Sequence, residues 1–255
     1  MKKTFFVLWL LLLVSAAFAA PVTLEYRHDG NEVNVYRESN KIVQKEDGQT
    51  VEVETVTEIT ETVKSPSPGL TLAAEVKTVS LKVNGEDQDV SQIPPSRFSY
   101  SLDKQGKVTA SFDKDGNPTP GFDASRETAL LPDKPVNKGD TWTGKLIMDT
   151  LNSPIECRLE EVYKKNGVEL ARISFTAEHT AGLADMLSAE DLKAAESIGL
   201  SGSKSIKGKG NIYFSTALGK VIMLEYTLET HNELSGAGQH KENDETEDYK
   251  MWRTQ

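Results

Sequence analysis

Apolar and polar residues alternate with a period of two along most of the chain. Between residues 51 and 63, β-branched side chains fall on one face, whereas Glu52, Glu54 and Glu58 fall on the other. Such alternation is typical of a strand with one buried face. The pattern recurs between turn signals such as Asp47-Gly48 and Asn84-Gly85. The sequence therefore predicts a mainly β domain, all-β or α+β, with a curved antiparallel sheet or half-barrel of about ten strands.

Three details of this alternation give local expectations. Residues 22–26 alternate and are followed by Asp29-Gly30-Asn31, which predicts a first hairpin. In the segment from Leu70 to Val83 the phase slips near Ala73-Ala74, where we expect a bulge or bend. Residues 201–210 are small and basic, and we expect a flexible stretch there.

The β pattern changes to a helical one in a single region. From Gly182 to Ile198 the spacing predicts one helical insertion, ended by Gly199. Its apolar residues are expected on one side. They are Leu183, Met186, Leu187, Leu192, Ala195 and Ile198. The helix either closes over a bound ligand or only seals the core, and the sequence leaves both interpretations open.

Residues 1–19 have the pattern of a cleavable secretory signal peptide. Lys2 and Lys3 precede an apolar run from Phe5 to Val14, and Ala17-Phe18-Ala19 fits the small-residue cleavage pattern. The run is shorter than the roughly twenty residues of a spanning helix. We expect cleavage after Ala19 and a soluble product, periplasmic or secreted, with no membrane span left.

Charge and cysteine content narrow the possible functions. The formal net charge is −10, and losing the two lysines of residues 1–19 changes it to about −12. A nucleic-acid partner is disfavoured, because phosphate binding requires a basic surface. The single cysteine, Cys157, alternates with charged neighbours and is expected to face inward as a small apolar residue.

A short internal echo suggests two similar halves, residues 21–126 and 127–255, within one β-rich domain covering residues 20–255. Tyr100 and Gly106-Lys107-Val108 have the same spacing as Tyr213 and Gly219-Lys220-Val221. A true repeat is one interpretation, and chance recurrence of a common hairpin signal is the other.

The segment Pro132-Asp133-Lys134-Pro135-Val136-Asn137-Lys138-Gly139-Asp140-Thr141-Trp142 has the form P-x-K-P-V-x-x-G-D-x-W. It resembles an element of an uncharacterised family of exported bacterial proteins, a domain of unknown function. More distantly, the predicted architecture is similar to the periplasmic half-barrels that carry lipoproteins. Neither resemblance implies catalytic residues or a cofactor.

Candidate chemistry in the sequence is sparse. His231 and His240 have Glu229, Glu233, Glu242 and Asp244 nearby, and a hairpin would bring them together as metal ligands or as a solvated acidic surface. No serine-hydrolase elbow is present, and no cofactor is expected. For an apolar ligand, the candidate contacts are Leu183, Met186, Leu187 and Trp142.

The leading hypothesis is an exported, non-catalytic binding or carrier protein for an apolar small molecule. The alternatives are a structural or interaction component of the cell envelope with a protein partner, and an unrecognised hydrolase or metal-dependent enzyme.

Overall fold

A computed structural model describes residues 20–30, 32–65, 70–119, 130–148, 151–187, 189–236 and 239–255. Within them, twelve strands form one large, curved, open antiparallel sheet, and two short helices lie between β9 and β10. The strands are β1 (Val33–Glu46), β2 (Gln49–Ser65), β3 (Leu70–Val83), β4 (Glu86–Asp87), β5 (Ser96–Leu102), β6 (Val108–Phe112), β7 (Thr141–Met148), β8 (Leu151–Lys165), β9 (Val168–Gly182), β10 (Ser201–Ser215), β11 (Lys220–Gly236) and β12 (Gln239–Arg253). The predicted mainly β fold with a curved antiparallel sheet is confirmed.

The strand order places the first and last strands side by side in the middle of the sheet. The order is β6-β5-β3-β2-β1-β12-β11-β10-β9-β8-β7, and β4 pairs with β3 outside this path. Tyr36 of β1 lies opposite Arg253 of β12. Strands β6 and β7, which are consecutive in the chain, form the two edges. The sheet therefore consists of two meanders, which are joined where β1 pairs with β12. The first meander is β1–β6, and the second is β7–β12.

The two faces of the sheet differ in polarity, as the alternation predicts. Residues opposite each other on neighbouring strands point to the same side. Ile59 lies opposite the buried Tyr36, and its neighbour Glu58 points to the other side. We call the side of Tyr36, Leu72, Phe175 and Ile212 the inner face, and the opposite side the outer face.

Most of the buried core lies on the inner face of β8–β11. Side chains outside the sheet, among them Leu24, Leu131 and Val136, join this cluster and cover the strands. A smaller cluster, Val63, Leu72 and Leu102, lies on β2, β3 and β5. The second meander is therefore covered on its inner face, whereas the first has a small core at one end.

The predicted hairpin at the beginning of the chain is wrong. Residues 22–27 form an extended segment in which Val22 bridges to Val136. The N–H groups of Tyr26 and Arg27 donate to the carbonyls of Lys104 (2.8 Å) and Gly219 (3.0 Å). These residues alternate because Leu24 is buried in the core, and the bonds tie the two turns of the internal echo to one segment.

The register also relocates the predicted bulge. Ala73 and Ala74 pair regularly with Thr62 and Glu61. The shift instead falls between Val56 and Thr57 of β2, which leaves Val79 of β3 as the extra residue. The two adjacent alanines interrupt the alternation of apolar and polar residues in the sequence, but the strand pairing does not shift at them. A second shift lies between residues 63 and 65.

The helical insertion is two helices, α1 (Leu183–Met186) and α2 (Ala189–Ser197). Leu187 has an extended backbone that separates them. Ala195 is buried, but Ile198 is 65% exposed and does not share its side. The stretch after residue 200, predicted to be flexible, is part of β10 and is paired on both sides. No helix in the described part of the chain is long and apolar enough to cross a membrane.

Candidate functional site

The four residues predicted to contact a ligand do not form one site. Trp142 lies on β7 opposite Cys157, packs against the core, and donates from Nε1 to the carbonyl of Leu130 at 3.0 Å. Leu183 and Leu187 are partly buried and lie beyond the last residue of β9, in α1 and directly after it. Five shallow grooves lined by described residues include none of these three side chains. The side chain of Met186 lies outside the described residues.

The two candidate metal-binding histidines lie on the outer face of the β11–β12 hairpin. Both nitrogens of His231 are engaged, with Asp244 at 2.7 Å and Glu233 at 3.1 Å. His240 contacts Ser235 at 2.7 Å and Glu242 at 2.8 Å. The carboxylates next to His231 raise the pKa of its imidazole. Among the described residues, no group of three or more His, Cys, Asp or Glu is arranged to hold a metal ion.

The inner face of the first meander carries an apolar surface that belongs to neither buried cluster. Its side chains are partly exposed, and Phe98 is 38% exposed. Ile42 lies opposite Val53, and Val53 lies opposite Val83, so one part of the surface crosses β1, β2 and β3. The inner-face threonines Thr55, Thr57 and Thr78 lie between this part and the other, around Ile59. We call it the open apolar strip. It consists of Ile42, Val53, Ile59, Val76, Leu81, Val83 and Phe98.

Three glutamates border this strip on the same face, and each accepts a hydrogen bond from a tyrosine. Glu247 lies directly opposite Ile42, Glu38 lies opposite Thr57, and Glu61 follows Ile59 by one full period. We call these pairs the acid–tyrosine row. They are Tyr249 with Glu38 at 2.5 Å, Tyr226 with Glu247 at 3.4 Å, and Tyr100 with Glu61.

Further neutral donors hold the row in place. The hydroxyl of Thr57 donates to Glu38 at 2.8 Å, and the amide of Asn40 donates to Glu247 at 3.0 Å. The rings of Tyr226 and Tyr249 stack with centroids 4.7 Å apart and an interplanar angle of 13°. These hydroxyl and amide donors orient Glu38 and Glu247.

Burial and the glutamates keep the tyrosine hydroxyls protonated. Burial, then the charge of Glu38, raises the pKa of Tyr249 far above its usual value. Burial and Glu61 do the same to the pKa of Tyr100. Burial also raises the pKa of Glu61, against the hydrogen bond from Tyr100. These tyrosines therefore act as hydrogen-bond donors, and proton abstraction by a phenolate is unfavourable.

A second charged group lies at the end of β1, next to the row. Lys220 is only 2% exposed, forms an ion pair with Glu32, and donates to Asn34 at 3.2 Å. Arg253 also donates to Asn34, at 3.1 Å. Burial and the charge of Lys220 lower the pKa of His28 to about 4. This cluster joins β1, β11 and β12, and both Lys220 and Arg253 pair with Glu32.

The outer face has a shallow groove of about 620 Å³ over Gly210. Gly210 lies opposite both Phe175 and Tyr226, whose side chains cover it on the inner face. Lys41, Lys209, Lys250 and several polar groups line the groove. Its mixed charge gives it no clear preference for a ligand.

Comparison with models of protein families and with curated proteins finds no match for this chain. The resemblance carried by residues 132–142 therefore stays a prediction. The structure gives the segment a local role. Gly139, with φ of 91°, donates to the carbonyl of Leu159 at 2.7 Å, so the turn leads Trp142 onto the core.

The acid–tyrosine row was absent from the sequence-based candidates. One signal was available, because Glu61 has the same phase as Ile59 and Val63 and so falls on the buried face of its strand. Its partner Tyr100 comes from β5, and Tyr249 comes from the other end of the chain. Those pairings require the strand order, which the sequence pattern does not contain.

Proposed function

We propose that this chain is an exported, non-catalytic binding or carrier protein that holds an apolar small molecule on its inner face. The observation that carries the proposal is the open apolar strip. Seven apolar side chains point to one side of a continuous antiparallel sheet, and none belongs to a buried cluster. Contiguous exposed apolar surfaces commonly mark binding sites.

The contrast between the two meanders supports this interpretation. On β8–β11 the inner face is covered by residues from outside the sheet, and Leu159 and Ile173 have no exposed surface. On β1–β3 the equivalent face keeps Val53 and Leu81 partly exposed. Each square ångström of apolar surface removed from water contributes about 25 cal/mol, so a ligand on the strip gains affinity from burial alone.

The compartment rests on the leader pattern of residues 1–19, which lie outside the described part of the chain. Lys2 and Lys3, the apolar run, and the Ala17-Phe18-Ala19 cleavage pattern support export by the general secretion route. N-terminal sequencing of the mature protein tests this, and Ala20 is the expected first residue.

Binding is tested with a neutral, environment-sensitive fluorophore such as N-phenylnaphthylamine. We expect saturable fluorescence with the wild-type protein and a loss of affinity of about tenfold in Val53→Asn, because a polar side chain then interrupts the strip. Val56→Asn is the matched control. Val56 lies on the same strand, is also partly buried, and points to the outer face.

Two results would contradict the proposal. One is the absence of saturable binding to the wild-type protein. The other is an equal loss of affinity in Val53→Asn and Val56→Asn, with both variants folded by circular dichroism, because the strip would then not be the binding surface.

A structural or interaction role in the cell envelope is a second candidate. The outer face of β11 and β12 supports it with a band of six carboxylates, Glu225, Glu229, Glu233, Glu242, Asp244 and Asp248. A photo-crosslinking residue at position 229 tests this in cells, with position 42 on the inner face as the control. A defined protein adduct from position 229 alone would favour this role over ligand binding.

A further inference from the structure

We infer that the ligand of the inner face is an amphipathic organic cation, with its apolar part on the open apolar strip and its positive group at the acid–tyrosine row. This inference rests on the proposed binding function and adds the charge class of the ligand. The strip and the row share one face, and Ile42 and Glu247 are direct cross-strand neighbours.

Glutamate side chains border the open apolar strip. Along the inner face of β1, Glu38 follows Tyr36, and Asn40 separates it from Ile42. Glu61 lies opposite Ala74, which in turn lies opposite Phe98 of the strip. Glu38 and Glu247 therefore border the apolar surface on the side where β1 pairs with β12, and Glu61 borders it on β2, next to Ile59.

Hydroxyl groups donate hydrogen bonds to Glu38 and Glu61. Glu38 accepts from Tyr249 and Thr57, and Glu61 accepts from Tyr100. These donors are neutral, and an ionised carboxylate has about four acceptor positions, so Glu38 retains acceptor capacity. Lys220 is close enough to lower the pKa of Glu61, but its own contacts are with Glu32 and Asn34.

Two stacked tyrosine rings lie beside the carboxylates. Tyr226 and Tyr249 stack at 4.7 Å and flank Glu38 and Glu247 through their hydroxyls. The faces of aromatic rings attract cations, and carboxylates next to them strengthen this preference. An apolar surface next to rings and carboxylates is complementary to an alkyl group with a positive end. It repels an alkyl chain with a carboxylate end.

The test compares two surfactant monomers with the same tail, decyltrimethylammonium and decanoate, as competitors of the neutral fluorophore. We expect the cation to displace the fluorophore at a concentration about tenfold lower than the anion, the difference that one favourable charge contact produces. Glu38→Gln should reduce this ratio several-fold, with both competitors measured against the affinity of the same variant for the neutral fluorophore. Added salt should weaken the displacement of the fluorophore by the cation and should not weaken its displacement by the anion.

Glu58→Gln is the matched control, because Glu58 lies on the outer face of the neighbouring strand. It removes the same charge from the chain but should not change the ratio. Equal displacement by the cation and the anion would overturn the inference, as would an identical effect of Glu38→Gln and Glu58→Gln. In either case, retained binding of the neutral fluorophore leaves the proposed function intact, whereas its absence contradicts that function separately.

Discussion

Lys220 donates a hydrogen bond of 3.2 Å to Asn34, and both side chains are buried. Lys220 begins β11 and Asn34 lies in β1, on opposite sides of β12. The same lysine is paired with Glu32, so a buried charge and its partner hold the centre of the sheet together at one end.

Lys220→Met should destabilise the protein by about 1–3 kcal/mol, because the buried Asn34 loses a donor and Glu32 keeps only Arg253 as a cationic partner. Urea unfolding followed by circular dichroism measures the change. Lys41→Met is the control, since Lys41 pairs with Glu52 and Glu54 but is 40% exposed, so its loss should change the stability much less. Equal losses in the two variants would show that the buried pair is not specially stabilising.

His28 should make the stability of the protein depend on pH. Burial and Lys220 lower its pKa from 6.5 to about 4 in the folded state. Above pH 6.5 the imidazole of His28 is neutral in both the folded and the unfolded protein, so its contribution to stability is fully present. As the pH falls from 6.5 to 4, only the unfolded form takes up a proton, and stability declines. His28→Asn should flatten this decline, as measured by melting temperature against pH.

His231 provides the contrast for that measurement. Asp244 and Glu233 raise the pKa of its imidazole in the folded state, so its contribution is present at low pH and is lost as the pH rises through the folded pKa. His231→Asn should therefore change the profile in the opposite sense to His28→Asn. Profiles that change in the same sense would contradict both assignments.

Gly210 should not tolerate a side chain. A Cβ atom there would lie 2.6 Å from Cζ of Phe175 and 2.6 Å from Cβ of Tyr226, so the core must shift. Gly210→Ala should cost about 1–3 kcal/mol in the free energy of unfolding, as overpacking does. Gly182→Ala is the control, because its nearest neighbour would be an oxygen of Asp185 at an ordinary 3.9 Å.

Cys157 should be chemically inert in the folded protein. Its side chain is fully buried, and burial raises the pKa of the thiol to about 12. Because the thiolate is the reactive form, Ellman's reagent should label Cys157 only after unfolding. Rapid labelling of the native protein would contradict the burial of Cys157 in the core.

The elements that the sequence predicts correctly depend on neighbours in the chain. Alternation over residues 51–63 locates β2 and its apolar inner face, and Asp47-Gly48 locates its hairpin with β1. The inward position of Cys157 follows from the same pattern and is confirmed. In each case the local pattern is enough to decide which face of the sheet a side chain points to.

The errors occur where distant segments decide the outcome. Residues 22–26 alternate like a strand, yet they cover the core because Val22 pairs with Val136. The stretch after residue 200 is small and basic, yet β9 and β11 pair with it on both sides. The acid–tyrosine row needs β1 beside β12, a relationship that no local pattern indicates.

The central pairing of β1 with β12 also determines the order in which the protein can assemble. Asn34 and Arg253, 219 positions apart in the chain, contact each other in the middle of the sheet. The hairpins of each meander form from neighbouring segments, but closing so long a loop between them carries a large entropic cost. A chain that emerges amino terminus first must therefore release its last strand before the sheet is complete. Until then, the edge of β1 that pairs with β12 has unpaired backbone N–H and C=O groups, on which another strand can compete with β12.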